Sequence, residues 1–256
     1  MKITFRLLGA AIFLGLTTLP ARTEEAKARA AGKMAFAKYQ DAVVTVKLIL
    51  KEKGRKVEMP TEISGTVLSA DGLTVMSDFS TNPSGLLAGE GAGTETTDVK
   101  LLLKNGREVP AKFVLRDKDL DLAFVMPKEE SLKLTHVKLE TGPVPGVLDD
   151  LVFIYRMGKA MNRDAAVVLG RVEAVVKKPR TFVVPELLTG LQSLGCPVFD
   201  DSGRPIGVVV VRRSATGLKD IGGLRDVLEM LKPVILMAED IQDAASQVSK
   251  PKDAPK

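Results

Sequence analysis

The chain has 256 residues, 45% of them hydrophobic and 27% charged, which supplies one large or two small cores and makes a folded protein the default. A formal net charge of +5 is too mild to argue for a nucleic-acid ligand on its own. The single cysteine, Cys196, excludes an intrachain disulfide, and one histidine with one cysteine cannot build the usual nitrogen and sulfur metal sites, so neither metal nor cofactor is expected.

The first element is a leader. Lys2 and Arg6 flank an apolar run from Leu7 to Leu16, and Leu19-Pro20-Ala21 offers a small residue for cleavage, so residues 1–21 read as a secretory signal peptide cut near Ala21. Its removal takes Lys2 and Arg6 with it and lowers the charge from +5 to +3. The alternative is an uncleaved anchor, against which the apolar run is shorter than the roughly 20 residues of a spanning helix; no transmembrane segment is expected after cleavage, and the chain is placed in the cell envelope or outside it. Residues 22–40 are rich in Ala, Glu and Lys and read as either a helix or a solvated connector.

From Ala42 to Leu50 the residues are β-branched and strand-like, followed by a charged turn over Lys51 to Lys56. Ile63 to Ser80 reads as two strands joined at Asp71-Gly72, a strong hairpin signal. Thr81 to Thr97 is a Gly/Ser/Thr-rich surface loop. Val99 to Leu103 and Glu108 to Leu115 flank Asn105-Gly106, which favours a primed hairpin turn. Asp117 to Val125 closes the first half.

The second half runs from Val137 past a Pro-Gly loop over Gly142 to Gly146, then through strands at Leu151 to Arg156, Val167 to Val176 and Thr181 to Val184. The most informative stretch follows. Leu191 to Cys196 reads as a tight loop, Pro197 to Phe199 as a short strand, Asp200 to Gly203 as a turn, and Ile206 to Val211 as a strand buried on both faces. Leu224, Val227, Leu228 and Leu231 form a helical stripe. Val234 to Met237 reads as a further turn, and the polar residues 238–256 as a disordered tail.

Short strands at regular spacing argue an all-β barrel architecture. Three motifs sharpen this. The hairpin around Pro197 resembles the nucleophile hairpin of trypsin-like serine proteases, particularly the Deg/HtrA branch, whose pattern is Gly-Asn-Ser-Gly-Gly-Pro-Leu. The strand ending Ser77-Asp78-Phe79 is similar to that family's Thr-Asn-Asn-His-Val. Asp117 to Val125 is similar to Asp-Pro-x-Thr-Asp-Leu-Ala-Val-Leu.

The resemblance implies two six-stranded antiparallel β-barrels, residues 41–127 and 128–237, with a C-terminal helix on the second. It also assigns the triad positions. The general base falls on Phe79, the orienting aspartate on Asp121 and the nucleophile on Leu194, while Gln192, Ser193, Leu194 and Gly195 occupy the oxyanion loop. A phenyl ring cannot accept a proton and a leucine carries no oxygen, and losing one triad member already costs on the order of 10⁴ to 10⁶ in turnover.

The expectation is therefore an exported pseudo-protease that binds a peptide or protein segment, which could add as a strand without a working triad. The alternative is a hydrolase using Ser193 or Cys196. His136, the sole histidine, lies at the entry to the second half, away from the base position, and reads as a surface or structural residue. A weaker possibility is attachment to anionic polymers through Lys51 to Lys56 and Lys177 to Arg180. The sequence is silent on the oligomeric state.

Overall fold

The computed structural model describes residues 21–52, 58–81, 94–186, 190–212 and 231–248. The leader, the centres of the Lys51 to Lys56 turn and the Thr81 to Thr97 loop, and all of the expected stripe from Leu224 except Leu231 lie outside them.

Strands β1 (Val43–Glu52), β2 (Glu58–Val67), β3 (Thr74–Ser77), β4 (Thr94–Leu102), β5 (Glu108–Asp117) and β6 (Leu122–Pro127) close one antiparallel barrel in the order β1-β2-β3-β6-β5-β4. Strands β7 (Asp150–Arg156), β8 (Ala165–Val176), β9 (Phe182–Pro185), β10 (Pro197–Asp200), β11 (Pro205–Val211) and β12 (Pro233–Met237) close a second, in the order β10-β11-β12-β9-β8-β7. Hairpins stand at both expected places, but the turn at Asn105-Gly106 is not the primed one: the Gly106 N–H donates to the Leu103 carbonyl, so Gly106 ends the turn, and Asn105 is not left-handed. Gly72 and Gly106 sit at φ 93° and 81°, a left-handed backbone that a side chain would strain.

Period-two alternation sorts the side chains. Val44, Val46, Leu48 and Leu50 of β1 point into the first barrel, while Leu151 and Phe153 of β7 and Val209 and Val211 of β11 fill the second. The opposite faces, with Val152, Ile154, Val208 and Val210, meet Val75, Leu122 and Phe124 of the first barrel in a third cluster along the seam. The barrels thus share a core, as β11, buried along its whole length, requires.

Two expectations are corrected here. Val234 to Met237 is not a turn but most of β12, which pairs with β11 from Gly207↔Met237 to Val211↔Pro233 and with β9. A strand buried on both faces needs hydrogen-bonded neighbours on both sides, and β12 supplies the second. Residues 238–256 are not a tail throughout, because Ala238–Val248 form helix α2. Ala238, Ile241 and Ala244 make a stripe at helical spacing that docks on the seam cluster, and Glu239 and Asp240 favour the helix N-terminus.

Residues 22–40 resolve in favour of helix. Helix α1 (Ala21–Tyr39) buries Ala28, Ala31, Ala35 and Tyr39, and packs on β7 and β8 of the second barrel. Tyr39 stacks on Phe199 with ring centroids 5.2 Å apart. Among the described residues, no helix is long and apolar enough to cross a membrane.

Candidate functional site

Three segments converge where the seam opens toward one end: the end of β3, the turn before β6, and the loop before β10. Asp121, at φ 57°, adopts the left-handed conformation that aspartate tolerates better than most residues, and this turns its carboxylate inward. Only 1% of Asp121 is exposed. Its Oδ2 accepts hydrogen bonds from Ser77 Oγ at 2.5 Å and from the Val211 N–H at 2.9 Å. Its Oδ1 accepts from the Phe79 N–H at 2.7 Å. One carboxylate therefore ties β3 of the first barrel to β11 of the second.

Phe79 and Leu194 come together in one place. Phe79 follows β3, yet its ring joins the hydrophobic cluster inside the second barrel with Leu194, Phe153, Val198 and Val209. Their exposures are 8% and 3%. Where the resemblance puts proton transfer and attack, two nearly buried apolar side chains of one hydrophobic cluster stand instead, with Leu194 also bordering a cavity of about 190 Å³.

The loop between them is also specific. Gly190–Ser193 forms a 3-10 turn, whose i→i+3 bonding directs its later N–H groups back to its own carbonyls. Gln192 is therefore not forced into the left-handed angles that glycine would adopt there; its side chain is exposed. Gly195 takes the glycine-only conformation instead, at φ 81°. A Cβ on it would come within 2.3 Å of the Ser64 carbonyl oxygen, so the loop presses backbone to backbone against β2. Its N–H donates to Val209 O at 2.8 Å and its carbonyl accepts from Thr66 Oγ1 at 2.7 Å.

Ser193 and Cys196, the alternative nucleophiles, are both fully buried. Burial pushes the Cys196 thiol well above its ordinary range, against a smaller opposite effect of its hydrogen bond with Ser64, so it is held as the un-ionised thiol. His136 is exposed in the connector between barrels, with Nδ1 3.4 Å from the Leu134 carbonyl.

The structure adds residues that the sequence did not single out. Asp78, 2% exposed, pairs with Arg116 at 2.7 Å, and Thr81 Oγ1 donates to the Asp78 carbonyl at 2.7 Å, bracing the backbone on either side of Phe79. The Asp in Ser77-Asp78-Phe79 was visible, but its partner lies 38 residues away on β5. Arg156, at the end of β7, reaches across the seam to the Val43 carbonyl. Among the described residues, no group of three or more His, Cys, Asp or Glu side chains is placed to hold a metal ion.

The two barrels and the three converging segments define a chymotrypsin-like architecture. Residues 63–208, more than half of the chain, match the trypsin-like peptidase domain family, and the chain belongs to that family. Among solved structures it is similar to the HtrA-type protease AlgW with a tripeptide, at a TM-score of 0.57 and 17% identity, over 84% of this chain and 62% of that one. The chain thus spans less than two thirds of the neighbour's length, and the likeness is one of fold. No curated protein matches the chain.

Proposed function

We propose that this chain is an exported, Deg/HtrA-like pseudo-protease that does not hydrolyse peptide bonds and acts by binding a peptide or protein segment. The observation that carries the reading is the joint burial of Phe79 and Leu194 in one apolar cluster, at the positions that the family resemblance gives to base and nucleophile. Acyl transfer needs an oxygen or sulfur nucleophile, a base within hydrogen-bond reach and donors for the oxyanion. An apolar contact offers none of the first two, and the 3-10 turn over Gly190–Ser193 turns donors inward. Asp121 then serves as a structural carboxylate, held by donors from both barrels.

The export part rests on residues 1–21, with Lys2, Arg6 and the apolar run ahead of Ala21, where α1 begins. The binding part draws on fold analogy, since the similar HtrA-type protease is described with a tripeptide. Hydrolysis through Ser193 or Cys196 has less support, because neither side chain reaches solvent and the thiol is held protonated.

The test uses purified chain beginning at Arg22. Incubated with labelled casein and with a fluorophosphonate probe, it is expected to release no fragments and to take no label. Label that disappears in Ser193→Ala would refute the reading.

A further inference from the structure

Two cavities lie along the seam on the side of β1 and β7. The larger, of about 580 Å³, is lined by Lys47, Lys104, Glu108 and Arg163 among others; the smaller, of about 190 Å³, reaches Ser64 and Gln192. Thr45 and Arg156 line both, so the two are parts of one groove that runs between the barrels and ends at the loop before β10.

The cations of this groove are not equivalent. Lys47 is paired with Glu108, Lys104 with Asp41 at 3.1 Å, and Arg163 with Glu62 through two bonds of 2.7 Å. Arg156 differs. Its side chain is 11% exposed, its Nε donates to the Val43 carbonyl at 2.6 Å and its Nη2 to the Gln40 carbonyl at 2.8 Å. Nη1 has a long contact, 3.4 Å, to the Arg163 carbonyl. The Asp41 carboxylate makes a long ion pair with Nη2 at 3.9 Å, beyond a hydrogen bond, and Asp164, which lines the larger cavity, adds a second nearby negative charge. A nearly buried guanidinium is thus held mainly by carbonyl dipoles, lines both cavities, and keeps one edge weakly engaged.

We infer that the seam groove binds an extended segment through a carboxylate that pairs with Arg156 Nη1. The inference rests on the peptide-binding function proposed above and gives it an address and a ligand charge. Nε and Nη2 are committed to Val43 and Gln40, and Nη1 has only its long 3.4 Å contact with the Arg163 carbonyl, so Nη1 has the most to gain from a new acceptor. That nitrogen can donate a charge-assisted hydrogen bond to one carboxylate oxygen. Thr45, Ser64, Ser80 and Gln192 offer polar side chains along the smaller cavity for the rest of the segment. The carboxylate can belong to a chain terminus or to an acidic side chain.

Fluorescence anisotropy with three labelled Ser-Val repeat hexapeptides tests this on the chain from Arg22. One carries a free C-terminal carboxylate, one is a C-terminal amide with a single internal Glu, and one is an uncharged amide. At least one acidic peptide is expected to bind about tenfold or more tightly than the uncharged one, and whichever does identifies the source of the carboxylate. Arg156→Gln is expected to remove that preference.

Because Arg156 also pins β7 to β1, hydrogen exchange on the unsubstituted chain supplies a second readout. The preferred peptide should slow exchange over residues 40–47 and 156–165. Equal binding of all three peptides overturns this inference and leaves the binding function standing. So does protection confined to other segments, or a folded Arg156→Gln chain that keeps the preference. If none of the three binds, both fall.

Discussion

Replacing Leu194 with serine would place a hydroxyl where the resemblance puts the family's nucleophile, and the burial of Leu194 says what this should do. Leu194 is 3% exposed and packs with Phe79, Phe153, Val198 and Val209. Truncating a buried leucine of this kind costs about 2 to 5 kcal/mol through lost transfer energy and the cavity left behind. The new hydroxyl, in an apolar surround, adds about 1 to 3 kcal/mol unless it finds a partner. A loss of about 4 kcal/mol is therefore expected, and at roughly 2 to 4 °C per kcal/mol for a chain of this size the melting temperature should fall by about 8 to 16 °C. Thermal unfolding followed by circular dichroism measures it, and the same sample is treated with the fluorophosphonate probe. No label is expected, because no imidazole lies beside the new oxygen and the 3-10 turn is still in place. A melting temperature within 1 °C or so of the parent, together with labelling, would show that Leu194 faces an open cleft and that the reasoning from burial is wrong.

The remaining predictions probe other parts of the same framework. Cys196 should resist a thiol reagent in the folded chain and react stoichiometrically in guanidinium chloride, since it is fully buried and its thiol is pushed up by burial; fast reaction of the native chain would contradict this. Asp121→Asn should cost about 2 to 3 kcal/mol in denaturant unfolding, because an amide nitrogen replaces one acceptor oxygen among the donors of Ser77, Phe79 and Val211. Glu62→Gln should cost only about 0.5 kcal/mol, as the Glu62–Arg163 pair is at the surface. The hydrogen bond from Arg163 holds the Glu62 carboxyl below the usual glutamate range, so the bridge contributes above the ordinary pKa and the contribution is lost as pH falls through the depressed one. The melting difference between Glu62→Gln and its parent should accordingly vanish in acid, and a difference that grows there would contradict the assignment. Ending the chain at Met237 should destabilise it by about 3 kcal/mol, the burial of Ile241, Ala238 and Ala244 on the seam; an unchanged denaturation midpoint would mean that α2 does not dock.

How much of this was legible in the residues depends on the range of the interaction involved. Asp71-Gly72 and Asn105-Gly106 announce their hairpins because a single left-handed glycine closing each turn is a property of the local sequence. The run Ile206 to Val211 announces a strand buried on both faces for the same local reason. What stayed hidden was settled at long range. Val234 to Met237 becomes a strand because β11 and β9 leave a gap between them, and four residues beside a proline carry no such instruction. The stripe of α2 is made mostly of alanines, too small to outweigh the polar residues between them. Arg156 looked like the polar end of a strand, and only the first barrel's Val43 and Gln40 carbonyls give it its position.

The site shows the same division, and if Phe79, Asp121 and Leu194 stand at the triad positions, as the resemblance implies, it explains why one position can keep its residue type while the other two are replaced. An imidazole at position 79 and a hydroxyl at position 194 would each need a partner in a cleft that stays wet. Phe79 and Leu194 need only each other and the second barrel's core. Asp121 has no such freedom. Its carboxylate accepts from Ser77, from the backbone before the Phe79 ring, and from the last residue of β11, so its acceptors hold the two barrels in register whether or not chemistry follows. An apolar residue there would leave buried donors without acceptors, at about 1 to 3 kcal/mol each. Catalytic groups can be exchanged for packing at no such cost; a carboxylate that satisfies backbone from both barrels cannot.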